Sequence, residues 1–190
     1  LAVLRGAGEQ SPDPKLGELL VEQTRRIDDI VSYQRQRAAV AGTVGMSRPI
    51  AIAPILQRLC SSLDKVYLER GIHCSMQVEE QLMLRADQGD LFELFGNLLE
   101  NAFKHCRGRV QVNASIDRGQ LRVDFEDDGK GIPTGGIDRI LQRGGRADRR
   151  HPGEGIGLAV VSEIVGQYRG SLSIGRSQLG GARFSVTLPA

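Results

Sequence analysis

Leu121-Arg122-Val123-Asp124-Phe125-Glu126-Asp127-Asp128-Gly129-Lys130-Gly131-Ile132-Pro133 is the stretch from which the rest of the chain is read. Its first six residues alternate apolar and polar, the pattern of a half-buried strand. The strand runs straight into Asp127 and two glycines. Glycine lets a backbone approach a ligand closely and adopt positive φ. A carboxylate at such a strand end can accept a hydrogen bond from the exocyclic amine of adenine. Guanine presents a carbonyl there, and an unpaired buried polar group costs roughly 1–3 kcal/mol. Taken alone, the stretch also fits a polar hairpin turn, where Asp-Gly is common.

Upstream, Asp87 is placed to cap a helix running to about His105. Leu91, Leu94, Phe95, Leu98, Leu99 and Ala102 recur at helical spacing and predict a core-facing stripe. Asn97, Asn101 and Lys104 stand at i, i+4 and i+7, so they share a different face about two turns long. Two amides and an ammonium suit a hydrated cation and a phosphate, although a solvated polar face has the same pattern. Asparagine is a poor interior helix former, which makes the pair less ordinary.

Downstream, Gly153-Glu154-Gly155-Ile156-Gly157 precedes Leu158-Ala159-Val160-Val161, with Ile164 and Val165 continuing at helical spacing. Glycines that open a helix present free N–H groups and the positive dipole end to a phosphate. No Lys-Ser or Lys-Thr follows, so this is not a P-loop, and it lacks the dinucleotide fingerprint as well.

Order and spacing together resemble the ATP-binding domain of sensor histidine kinases, a family grouped with gyrase, a heat-shock chaperone and MutL. Gly96 to Lys104 resembles the N box, Asp127 to Gly131 the D-x-G-x-G of the G1 box, and Gly153 to Leu158 the G2 box. Gly180-Gly181-Ala182-Arg183-Phe184 looks like the last glycine turn before the closing strand. The resemblance implies ATP and Mg2+ as ligands. By position it implies that Asn97 ligates magnesium with Asn101 assisting, and that Lys104 contacts phosphate. Asp127 would read adenine in a pocket lined by Gly131 and Ile132, with Gly129 in the same turn. Arg146 would reach the γ-phosphate from a lid, and His105 stands where relatives often carry an aromatic near the nucleotide. Gly153, Gly155, Gly157 and Leu158 would border the phosphates. Two residues depart from the pattern: His151 replaces an arginine and is a weaker, pH-dependent cation. Glu154 replaces a glutamine, and either helps hold magnesium or repels the phosphates.

The remaining chain divides around this centre. Leu16, Leu19, Leu20, Gln23, Ile27, Ile30, Val31, Gln34 and Ala38 trace a near-heptad seam, which predicts a bundle helix within residues 1–41. Ala41 to Gly45 reads as a linker, placed at 42–50, with the catalytic domain at 51–190. A helix is expected from about Pro54 through Ile55, Leu56, Leu59, Leu63, Val66 and Tyr67 to Gly71. Strands are expected at Ile72–Val78, Arg109–Ile116, Gln120–Glu126, Ser171–Ile174 and Arg183–Leu188. Asp117-Arg118-Gly119 should form a hairpin turn. Helices alternating with a mostly antiparallel sheet predict a two-layer α/β sandwich, which the resemblance identifies as Bergerat-type. Residues 135–152, with four glycines and five arginines, look like a basic lid.

Composition sets the outer limits. With 190 residues and 40% apolar content the chain suits one ordinary domain plus an appendage. A net charge of +2 argues against nucleic acid as the main partner. Cys60, Cys74 and Cys106 show no paired metal or redox spacing and read as reduced thiols. No apolar run approaches the roughly 20 residues of a membrane span, so no membrane contact is expected of this portion. By resemblance, the phosphoacceptor histidine would precede Leu1. His73, His105 and His151 do not fit that role. The family reading therefore expects a cytoplasmic fragment of an inner-membrane sensor, dimeric through its own bundle and serving a response regulator. It transfers the γ-phosphoryl of ATP to a histidine outside this chain. Relatives that hydrolyse ATP carry a glutamate where Asn97 stands, and an amide cannot take the proton from water. A nucleotide-binding module that transfers nothing is the competing reading.

Overall fold

The computed structural model describes residues 48–132 and 156–190, all within the unit Ser47–Ala190. In chain order the elements are β1 (Pro49–Ala51), α1 (Ile52–Val66), a 3-10 turn (Leu68–Arg70), β2 (His73–Val78), β3 (Met83–Arg85), α2 (Gln88–His105), β4 (Arg109–Asp117), β5 (Gln120–Asp127), α3 (Ile156–Gln167), β6 (Ser171–Arg176) and β7 (Ala182–Pro189). Five strands form one sheet in the order β2-β4-β5-β7-β6, parallel only between β2 and β4. The helices lie along it in sequence: α1 meets β2, α2 meets β5, and α3 meets β6 and β7. This is the expected α/β architecture.

Strand alternation decides which side is covered. Val110, Val112 and Ala114 of β4, Leu121, Val123 and Phe125 of β5, and Phe184, Val186 and Leu188 of β7 are buried. Their neighbours Gln111, Asn113, Arg122, Asp124 and Thr187 are polar and at least partly exposed. An antiparallel sheet with one packed face shows this pattern. The β4–β5 hairpin turns at Arg118 (φ 50) and Gly119 (φ 75). Two successive left-handed residues are what a tight hairpin matched to strand twist requires.

Helix α2 is central. The predicted stripe is buried, together with Phe103. Asp87 is its cap, with Oδ1 accepting from the N–H of Gly89 at 2.7 Å and of Asp90 at 3.2 Å. At the far end the Arg70 guanidinium donates to the carbonyls of Phe103 (2.8 Å) and Cys106 (2.7 Å). A cation there complements the helix dipole. The start of α2 is also tied to the segment following α3. The Tyr168 hydroxyl accepts from Asp87 N (2.9 Å) and donates to the Asp90 carboxylate (2.7 Å).

Val66 is 74% exposed, whereas Leu59, Leu63 and Tyr67 are partly buried and pack against the core beside Ile52, Ala53, Ile55, Leu56 and Cys60. Two boundaries differ from the sequence expectation. Pro54 stands in the first turn of α1, where its missing N–H has no helical partner to lose. The helix ends at Val66, and Gly71 (φ 60) closes the short 3-10 turn that follows. Pro49 and Ile50, assigned to a linker, form β1 with Ala51 and pair with β3.

Gly166 is exposed near the end of α3, with nothing within 4 Å of where a Cβ would stand. Gly166→Ala should therefore stabilise the protein, by up to about 1 kcal/mol, measured as a rise in the urea midpoint.

Candidate functional site

The site is built where β5 leaves the sheet. Leu121, Val123, Phe125 and Asp127 alternate onto one face, so the strand's own period places Asp127 on the helix-covered side. Asp127 is 2% exposed. Its Oδ1 accepts from Gly129 N (2.8 Å) and Ala182 N (3.2 Å). Oδ2 has no hydrogen bond among the described residues and is the acceptor left for a ligand. Burial pushes the Asp127 pKa above the ordinary carboxylate value, against the two N–H donors and His105, which pull it down.

The turn between β6 and β7 closes on this carboxylate. Gly181 N donates to Asp127 O at 3.1 Å. A Cβ on Gly181 would fall onto Asp127 Oδ1 and stand 2.5 Å from both Asp127 O and Gly129 N. Gly129 is equally confined, because its Cβ would collide with His105 O. Gly131 (φ +71) faces Gly181, whose carbonyl lies 3.3 Å from the position of a Cβ. Glu126, on the opposite side of the strand, anchors the same turn: its Oε2 accepts from Ser177 Oγ (2.8 Å) and Gln178 N (3.1 Å).

Asp128 performs a different task from its neighbour. Its Oδ1 accepts from the N–H groups of Arg107 (2.8 Å), Gly108 (3.1 Å) and Arg109 (3.1 Å), tying the end of α2 to the glycine turn. Partial burial opposes ionisation, but these donors and the Arg109 guanidinium outweigh it and bring the pKa to about 2. The unfolded value is near 3.9. The stability Asp128 contributes is therefore complete above that value and is lost as pH falls toward about 2. Asp128→Asn should flatten the stability–pH curve across this window, as read from urea midpoints at pH 4.5 to 2.

The second half of the site lies between α2 and α3. Asn97 and Asn101 are partly buried on one face of α2, while Lys104 and His105 are exposed at its end. Asn97 Nδ2 donates to Glu93 O at 2.8 Å, which fixes the amide. A Cβ on Gly157 would stand 2.6 Å from Asn97 Oδ1. The helix carrying the last glycine of the cluster thus lies directly against the amide oxygen of Asn97, and only glycine permits that distance. Ile132 and Leu158 are partly buried against the core.

The structure therefore brings together Asn97 and Gly157, and Asp127 with Gly129 and Gly131. Arg146, His151, Gly153, Glu154 and Gly155 lie outside the described residues. Sequence reasoning gave no site role to Glu126, Asp128 or Gly181. The Gly180-Gly181 pair was visible as a turn, but its contact with a carboxylate more than fifty positions earlier was not. Among the described residues no group of three or more His, Cys, Asp or Glu is placed to hold a metal ion. No described helix is long and apolar enough to cross a membrane.

Comparison with known proteins bears on the family and the fold. The family model described as histidine kinase-, DNA gyrase B-, and HSP90-like ATPase matches residues 86–190. The two-component sensor PhoQ of Pseudomonas aeruginosa is 40% identical over 98% of this chain and 42% of its own length. The sensor protein PhoQ of Escherichia coli K12 is 39% identical over 88% of this chain and 35% of its own. The chain thus spans less than half the length of these relatives. Among solved structures, full-length ShkA in complex with AMPPNP superposes with a TM-score of 0.73 at 25% identity, over 99% of this chain and 43% of that one. The mycobacterial sensor histidine kinase MprB gives 0.63 at 28% identity, over 76% of this chain and 97% of that one. On the family match and the PhoQ identities together, the chain belongs to the histidine kinase-, DNA gyrase B- and HSP90-like ATPases and carries an ATPase domain of the histidine kinase kind.

Proposed function

We propose that this chain is the ATP-binding catalytic part of a two-component sensor kinase, passing the γ-phosphoryl of Mg-ATP to a histidine on a separate segment. The observation that carries the reading is Asn97. Its amide is pinned to Glu93 O, with Oδ1 lying against Gly157. A neutral amide at this place offers an oxygen to a cation and has no basic site for activating water. Magnesium takes oxygen ligands, keeps several waters and needs few protein groups, so Asn97, assisted by Asn101, fits it. Once bound, it would neutralise charge on the phosphate oxygens.

The chain's own residues supply position. Asp127 Oδ2 accepts from the adenine amine, and the buried setting excludes competing water. Lys104 at the exposed end of α2 meets phosphate. Arg146 and His151 would add positive charge to the phosphate side, Glu154 would help hold the metal, and Gly153 and Gly155 would offer N–H groups to the phosphates. Residues 1–41 belong to the dimerisation bundle and the following residues to its linker. The intact protein is a membrane-anchored homodimer that hands the phosphoryl group to a response regulator.

Mixing the chain with Mg-ATP and a separate bundle segment bearing the acceptor histidine tests this. Labelling of that histidine by γ-phosphate is expected, with slow hydrolysis in its absence. Asn97→Ala should lower the labelling rate on the order of a hundred-fold. Tight nucleotide binding with no labelling would instead identify a module that transfers nothing.

A further inference from the structure

The three cysteines are all free, and two of them meet. Cys60 Sγ of α1 and Cys74 Sγ of β2 are 3.1 Å apart. A disulfide requires roughly 2 Å between its sulfurs, so closure asks for about 1 Å of movement. Cys60 is 6% exposed and belongs to the core. Cys74 is half-buried on β2, an outermost strand of the sheet, and packs against the core from its margin. Cys60 is thus enclosed, while Cys74 keeps part of its surface open to solvent. Neither residue takes part in the nucleotide site.

We propose that Cys60 and Cys74 are a redox pair that closes reversibly to a disulfide joining α1 to β2, with a small-molecule disulfide as oxidant. The order of events follows from the pair's asymmetry. The hydrogen bond from Cys60 favours the Cys74 thiolate and lowers its pKa, against burial and Asp64, which raise it. The same bond, with burial, raises Cys60. Cys74 is therefore the attacking sulfur. Its thiolate attacks one sulfur of the oxidant, whose S–S bond breaks to release one thiol. Cys60 then loses its proton and attacks the Cys74 sulfur of the mixed disulfide, releasing the second thiol. Two protein thiols are oxidised by two electrons, and one disulfide is reduced to two thiols. Cys106 is the internal control: it is buried, and its thiol donates to Phe103 O at 3.3 Å.

The test is to equilibrate the 190-residue chain with glutathione buffers of rising oxidised fraction and read intact mass and non-reduced peptide maps. Loss of two hydrogens, a Cys60–Cys74 linked peptide, free Cys106 and full reversal by dithiothreitol are expected. Cys60→Ser should instead accumulate glutathione on Cys74, because the resolving thiol is gone. Cys74→Ser should leave Cys60 unmodified, with folding of both variants checked by circular dichroism. Two free thiols in fully oxidised glutathione, glutathione retained on Cys74 of the unaltered chain, or a bond that includes Cys106 would each overturn the proposal.

Discussion

Replacing Asp127 by asparagine is expected to weaken binding of a non-hydrolysable ATP analogue about ten- to a hundred-fold, equivalent to about 1.5–3 kcal/mol. The direction follows from how the carboxylate is already used. Oδ1 accepts from Gly129 N and Ala182 N, and those buried donors need an acceptor whether or not ligand is present. The asparagine amide will therefore keep its oxygen toward them and turn its NH2 group to the ligand side. That group then meets the adenine amine, donor against donor. A guanine carbonyl would be a better match, so discrimination between the ATP and GTP analogues should narrow as well. Calorimetric titration of both analogues against both proteins measures the two effects together. Unchanged affinity for the ATP analogue would remove Asp127 from base recognition.

Gly181→Ala should cost about 3 kcal/mol or more, at the upper end of overpacking effects, and lower the thermal midpoint by roughly 6–12 °C. The reason is the nature of the neighbours. A Cβ there meets Asp127 Oδ1, Asp127 O and Gly129 N, two of them backbone atoms held by the sheet and the turn. Neither has a free torsion with which to give way. The same movement displaces the proposed adenine acceptor, so nucleotide binding should fall together with stability. Gly166→Ala, which meets nothing, should move the midpoint the other way. If both alanines proved neutral, the close approach between the two glycine turns would be wrong.

Helix α2 was readable to within a residue of its ends, because a capping aspartate and a regular apolar stripe both point to the same boundaries. The β4–β5 hairpin was readable for a similar reason: alternation on both sides of Asp-Arg-Gly fixes register and turn together. Strands β1 and β3 were not, since three residues carry no measurable period, and only their pairing with each other defines them. The end of α1 misled because apolar residues continue past Val66 at helical spacing, although the α-helix stops there and a 3-10 turn follows. In the candidate site, residue types suited to the proposed chemistry stood out as motifs, Asn97 and Asp127 above all. Contacts between motifs did not. Gly157 against Asn97, Gly181 against Asp127 and Cys60 against Cys74 join positions far apart in the chain, and no local pattern encodes a distance.

The pairing of β1 with β3 has a mechanical consequence. Pro49 lies opposite Arg85, and Ala51 opposite Met83. The point where the chain enters this ladder is therefore the point from which β3 departs, two residues before the Asp87 cap of α2. A pull on the chain ahead of Pro49 loads the ladder from that one end, peeling it pair by pair instead of shearing all its bonds at once. Tension arriving from the preceding residues is spent beside the first turn of the helix that carries Asn97, ten positions further along.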